Sequence, residues 1–185
     1  CRSIRGNKAY ISIDCSALDE LALEREIFGE EGGSFKEVKV KNGLLELANG
    51  GTLFLNNVDR LTLHLQSKIH NFLNEKMAFR VGGHMPYRSN VRLIVASTKD
   101  LNELAAEGKF REDLLFAVNT MILTVPSLKE RQDDIETLAT HFLNLHKKQE
   151  EQKSLSPGVI KALREYNWPG NVRELQNVVE RAYIL

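Results

Sequence analysis

Gly50-Gly51-Thr52-Leu53-Phe54-Leu55-Asn56-Asn57 decides how this chain is read, because two glycines open a short apolar run and two neutral amides close it. A run of this length bounded by turn residues predicts a buried strand over Thr52–Leu55. Three further β-branched-rich runs, Ala9–Ile13, Val91–Ser97 and Met121–Val125, share the pattern. Helix-like stretches separate them, so the expectation is an α/β core with a mostly parallel sheet covered by helices.

The helical stretches are Asp19–Phe28, Leu61–Glu75 and Leu101–Glu107; in the second, Leu61, Leu65, Ile69 and Leu73 recur at helical spacing. After Pro126 the strand signals stop. Asp134–Lys148 sets Ile135, Leu138, Ala139, Phe142 and Leu145 on one face, and Ser156-Pro157 predicts an N-cap followed by proline at the first helical position. Gly170-Asn171 opens a last amphipathic helix through Val172, Leu175, Val178, Val179 and Ala182. The expected division is a core over residues 1–130 and an all-helical subdomain over 131–185, with Lys147–Ser154 as a polar linker-like stretch.

The 185 residues carry 25 Lys plus Arg against 25 Asp plus Glu, so no global field draws the chain to nucleic acid or anionic lipid. Cys1 and Cys15 form neither a metal-ligand spacing nor a disulfide framework, which suits a reducing cytoplasm. His141 and His146 do not share a helix face and His64, His70 and His84 are scattered, so no metal site is expected. No apolar run approaches a membrane span. The chain opens on Cys1-Arg2-Ser3 rather than Met, which reads as a piece of something longer.

Six blocks occur in order: Ile27-Phe28-Gly29, Gly33-Ser34-Phe35, Gly50–Leu55, Phe79-Arg80-Val81-Gly82-Gly83, Phe110-Arg111-Glu112-Asp113-Leu114 and Trp168-Pro169-Gly170-Asn171-Val172-Arg173-Glu174-Leu175. Together they closely resemble the central AAA+ domain of bacterial enhancer-binding proteins, the activators that remodel sigma-54 RNA polymerase. The resemblance covers nearly the whole chain. It implies a P-loop-type core with a helical lid, ATP or ADP with magnesium as cofactors, hexameric rings, and a glycine-rich phosphate loop ending in Gly-Lys just upstream of the position matching Cys1. This chain holds no such loop.

At the functional positions the chain departs from that pattern. Asn56 and Asn57 stand where the resemblance implies the Walker B Asp-Glu pair; an amide neither holds a magnesium shell by charge nor takes a proton from water. Taken alone, two asparagines would read as a strand end before a turn. Asp14 stands where the family has an asparagine that holds the catalytic glutamate switched off, and with Asn57 in place of the glutamate that hydrogen bond loses its purpose. Lys99, after Thr98, replaces a sensor asparagine and either reaches a phosphate or points into solvent. Arg111 matches an arginine offered across a subunit boundary to a neighbour's γ-phosphate, its alternative being a surface ion pair with Glu112 or Asp113. The second such arginine is Ala117. Arg173 matches the sensor arginine of the lid, or is a plain helix-surface charge.

The implied sigma-contact loop is Gly33-Ser34-Phe35-Lys36-Glu37-Val38, with Lys36 and Glu37 replacing the family's threonine and second glycine. A glutamate is costly at a tip that needs positive φ. The expected function is therefore that of a cytoplasmic transcription regulator of the response-regulator kind, deficient in hydrolysis and acting by oligomerisation or ligand sensing, with DNA bound by a domain outside this chain. Two alternatives stand beside it. One is a regulator that responds to a cyclic dinucleotide and works with the housekeeping sigma factor; the other is an active ATPase that drives sigma-54 open-complex formation.

Overall fold

The computed structural model describes residues 4–32, 40–146 and 154–184. The chain divides into two compact units, Cys1–Ile122 and Leu123–Leu185.

In the first unit the elements run β1 (Tyr10–Asp14), α1 (Glu20–Phe28), β2 (Gly29–Glu30), β3 (Lys41–Asn42), α2 (Leu44–Leu47), β4 (Thr52–Asn56), α3 (Leu63–Glu75), β5 (Met77–Phe79), β6 (Pro86–Arg88), β7 (Arg92–Val95), α4 (Leu101–Ala106) and α5 (Glu112–Val118). Among the described residues the main sheet has the order β1-β4-β7 with both pairings parallel. The central strand is β4, and it buries Leu53 and Leu55 completely. Against it pack Leu23, Ile27 and Phe28 of α1 and Leu65, Ile69 and Phe72 of α3. Both helices start on a side-chain cap, the Asp19 carboxylate accepting from Ala22 N at 2.9 Å and the Thr62 hydroxyl from Leu65 N at 3.3 Å.

The glycines ahead of β4 serve different needs. Gly50 has φ +76°, and a Cβ on it would meet nothing; a Cβ on Gly51 would lie 2.1 Å from the Ala9 carbonyl oxygen. Gly51 is thus the close approach that lets β1 and β4 pair from their first residues, where Thr52 N donates to Ala9 O at 2.8 Å.

Two small antiparallel pairs, β2-β3 and β5-β6, flank this core. Their two- and three-residue strands are too short to leave a period-2 signature. Side chains hold them instead: Arg80 donates to Glu46 at 3.0 and 2.6 Å and to Glu31 at 3.4 Å, and the Tyr87 hydroxyl donates to Phe28 O at 3.0 Å.

One expectation fails. Met121–Val125 forms no strand, and Met121, Ile122, Leu123 and Val125 are 68–81% exposed. Strand propensity describes a fit to a pleated, half-covered surface, and among the described residues nothing pairs with this segment or with the outer edge of β7.

The second unit holds α6 (Asp133–His146), α7 (Pro157–Glu165) and α8 (Asn171–Ile184), preceded by a 3-10 turn over Leu128–Glu130. Leu128, Ile135, Ala139, Phe142, Leu143, Trp168, Leu175 and Val179 are its core. The Ser156 hydroxyl caps α7 by accepting from Val159 N at 3.4 Å, with Pro157 first in the helix. Asn171 Oδ1 accepts from Leu128 N at 2.8 Å, and the buried Trp168 donates from Nε1 to Leu163 O at 2.7 Å. Leu145, expected on the buried face of α6, is exposed; the face runs through Phe142 and Leu143, and Leu145 falls past its edge. Among the described residues no helix is long and apolar enough to cross a membrane.

Candidate functional site at the tip of the parallel sheet

Parallel strands bring their C-terminal ends to one edge, and that edge is where open α/β sheets place ligands. Here the register sets Asp14 of β1 directly opposite Asn56 of β4, and Leu55 opposite Val95 of β7. The backbone continues the lattice past the strands, with Cys15 N donating to Asn56 O at 2.9 Å and Val58 N to Ala96 O at 3.0 Å. Asp14, Asn56, Asn57, Thr98 and Lys99 therefore gather at one end of the sheet.

Asn57 leaves the strand in the left-handed region, at φ 55° and ψ 47°. Asparagine adopts that conformation more readily than other residues with a Cβ. The turn swings its amide back over β1, where Nδ2 donates to Asp14 Oδ1 at 2.9 Å and Oδ2 at 3.0 Å, and to Ser16 Oγ at 3.4 Å. Asn56 Nδ2 donates to Asp14 Oδ2 at 3.2 Å. Ser16 completes the set from the turn after β1, its backbone N at 2.8 Å and its hydroxyl at 2.6 Å from Asp14 Oδ1. Positions 14 and 57 are thus hydrogen-bonded, with the carboxylate at the end of β1 and the amide donor just past β4.

The hydroxyl of Ser16, then the amide of Asn57 and the backbone N–H of Ser16, bring the Asp14 pKa down to about 2. A carboxylate so stabilised is a poor proton acceptor near neutral pH. The neighbouring Cys15 thiol is buried, and burial followed by the charges of Asp14 and Asp59 pushes it up to about 12. It is inert toward thiolate chemistry.

Asp59 is a residue the sequence reading passed over. Its side chain is 1% exposed beside Arg60, and it accepts from the Ser97 hydroxyl at 3.2 Å, linking the turn after β4 to the end of β7. Its only signal in the sequence is an acid two positions beyond the amide pair. The Ser97 hydroxyl also accepts from Lys99 N at 3.0 Å, while Thr98 and Lys99 are exposed.

Arg111 precedes α5 and engages Asp113 of its own chain, Nε to Oδ1 at 3.0 Å and Nη2 to Oδ2 at 2.6 Å. Its position is set by the fully buried Gln66, whose Oε1 accepts from Arg111 N at 2.8 Å while Nε2 donates to Leu61 O and Lys109 O. The ion pair with Asp113 is the contact that the Arg111 side chain makes within its own chain. Ala117 is exposed on α5. Arg173 is exposed on α8, in the second unit. Gly33, Ser34, Phe35, Lys36, Glu37 and Val38 lie outside the described residues.

The donor set at the tip does not fit a magnesium shell. Its amides are neutral, the Asp14 oxygens are taken by N–H and O–H donors, and among the described residues no three His, Cys, Asp or Glu side chains are placed to hold a metal ion.

The sigma-54 interaction domain family matches residues 1–124 and the AAA+ ATPase lid domain matches residues 129–185. The regulatory protein AtoC of Escherichia coli (strain K12) is 39% identical over 99% of this chain and 40% of its own length. The Nif-specific regulatory protein of Klebsiella pneumoniae is 43% identical over 99% of this chain and 35% of its own. The solved structure of NtrX from Brucella abortus in complex with ATP is 32% identical, with TM-score 0.89 across 99% of this chain and 40% of that one. The chain spans well under half the length of each of them.

Proposed function

The chain belongs to the sigma-54 interaction domain family, and we propose that it is the central AAA+ module of a bacterial transcription regulator that has given up ATP turnover and works through self-association or ligand sensing. The observation that carries this reading is the tip of the sheet: two amides, both donating to one carboxylate whose pKa is brought down to about 2. Neutral Asn56 and Asn57 supply no anion to hold a divalent cation, and Asp14 is too acidic to accept a proton from water. The relative NtrX has been solved with ATP and with ADP. For this chain, nucleotide binding without turnover is part of the proposal, as are contact with a sigma factor, DNA binding by parts of the full-length protein outside this chain, and action in the cytoplasm. The chemistry an active member would need is a cation held by carboxylate and a polarised water, and this tip offers neither.

Steady-state ATP hydrolysis by the full-length protein is the test. The expected result is no release of phosphate above a no-protein control; turnover on the order of 1 per second overturns the proposal.

A further inference from the structure

The helical unit is filled at one end and hollow at the other. Where α7 turns into α8, the buried Trp168 occupies the space between them and donates from Nε1 to Leu163 O at 2.7 Å. At the opposite end, where α6 and α8 finish and α7 begins, a cavity of about 370 Å³ is walled by Leu143, Leu155, Val159, Val178, Val179 and Tyr183. Protein interiors hold few voids larger than a water molecule, and ligand sites start at about 300 Å³. The floor of the cavity is buried, with Leu143 7% and Val179 4% exposed, while Val159 and Val178 stand 44% and 41% exposed at its mouth. Residues 147–153, which follow α6, read Lys-Lys-Gln-Glu-Glu-Gln-Lys and carry no apolar side chain that could fill it.

The lining sets the chemistry of an occupant. Among the described residues no charged side chain borders the cavity, so an ion entering it would give up its hydration without gaining a partner. Ser154 and Ser156 supply hydroxyls at its edge, and the Ser156 oxygen accepts from Val159 N at 3.4 Å, which leaves its O–H able to donate. Tyr183 adds a ring, against which another ring packs better than an aliphatic chain does. We propose that this cavity is a binding site for a small, neutral aromatic molecule carrying one hydrogen-bonding group. The ring would lie against Tyr183 and cover Val159 and Val178, and the polar group would meet the serine hydroxyls. The site lies wholly within the second unit, apart from the sheet tip, and does not depend on whether that tip turns over ATP.

Indole titrated into the methyl-labelled chain and followed by NMR tests this. The methyl groups of Val159, Val178 and Val179 are expected to shift saturably, with a Kd of about 1 mM or tighter. Indole-3-acetate, the same ring with a carboxylate, is expected to bind at least about tenfold more weakly. Val159→Trp, which plugs the mouth, and Val178→Asp, which charges it, should each weaken indole binding at least about tenfold while circular dichroism shows the helices intact. A variant with Ile122→Ser and Leu123→Ser, in the exposed apolar run before Pro126, should bind as the parent does. The proposal is overturned by any of these: no saturable shift up to about 5 mM indole, unchanged affinity in the cavity variants, loss of binding in the Ile122→Ser/Leu123→Ser variant, or indole-3-acetate binding as tightly as indole. It is also overturned if the same methyl groups shift when the chain alone is diluted, since a second copy would then be what covers the cavity. Should one cavity variant fail to fold, the other decides.

Discussion

Asp14 is half-buried and satisfied by Ser16, Asn57 and Asn56, and that combination has a signature in acid. Its pKa stands at about 2 in the folded chain against 3.8 for a free aspartate. A depressed folded value means that the group stabilises the fold fully above pH 4 or so, and that this contribution fades as pH falls from there toward 2. The gap in urea midpoint between the parent and Asp14→Ala is therefore expected to be constant from pH 7 to 5 and to close between about pH 4 and 2. A gap unchanged at the acid end would mean that the amides do not select the ionised form. The same residue shows what a sequence leaves unsaid. The amides at 56 and 57 are legible because a strand pattern runs into them, and the acid at 14 because a second strand ends there. Which of them donates is a matter of side-chain orientation, fixed only when β1 and β4 lie in register. Arg111 is similar. Phe110-Arg111-Glu112-Asp113 offers two acids to the guanidinium, and that Asp113 takes it in a two-pronged bond, with buried Gln66 gripping the Arg111 backbone from α3, is a matter of side-chain geometry.

The elements that the sequence announced are those long enough to show a period. α3 buries Leu65, Ile69 and Phe72 at helical spacing, and β4 buries Leu53 and Leu55 at strand spacing. Met121–Val125 has the same composition as a strand but no partner among the described residues, and composition cannot report pairing; the two short antiparallel pairs have partners but no length. The β1–β4 pairing adds a condition that no propensity encodes, which is room at Gly51. A methyl group there would sit 2.1 Å from Ala9 O, backbone that cannot step aside without unzipping β1. At Gly50 a methyl group meets nothing, and only the φ of +76° resists it. Adjacent substitutions are thus expected to differ sharply. Gly50→Ala should cost about 1 kcal/mol, whereas Gly51→Ala should cost about 3 kcal/mol or prevent folding. Urea denaturation of the two variants measures the contrast, and equal costs would remove the close approach as the reason for the second glycine.

At the scale of the molecule, the parallel core and the helical C-terminal lid were legible because strand signals stop after Pro126 and helical spacing takes over. Each unit closes its own hydrophobic cluster, Leu53, Leu55 and their neighbours in one, and Trp168, Leu175 and Ile135 in the other. What such a molecule does with copies of itself depends on what binds them. The chain has no net charge, so long-range attraction does not gather it. A ring held by nucleotide at its junctions needs a ligand gripped from both sides. On one side the sheet tip presents the amides of Asn56 and Asn57, and on the side proposed to face a neighbour Arg111 is engaged by Asp113 of its own chain at 2.6 Å. That ion pair is partly exposed and screened by solvent, so it would yield to a phosphate if one were held nearby; the missing contribution is the holding. The chain is accordingly expected to sediment as a monomer or dimer in dilute solution, with no shift on adding ATP and magnesium. A stable hexamer, with or without nucleotide, would show that the junctions close by protein contacts alone and that the altered tip does not govern assembly.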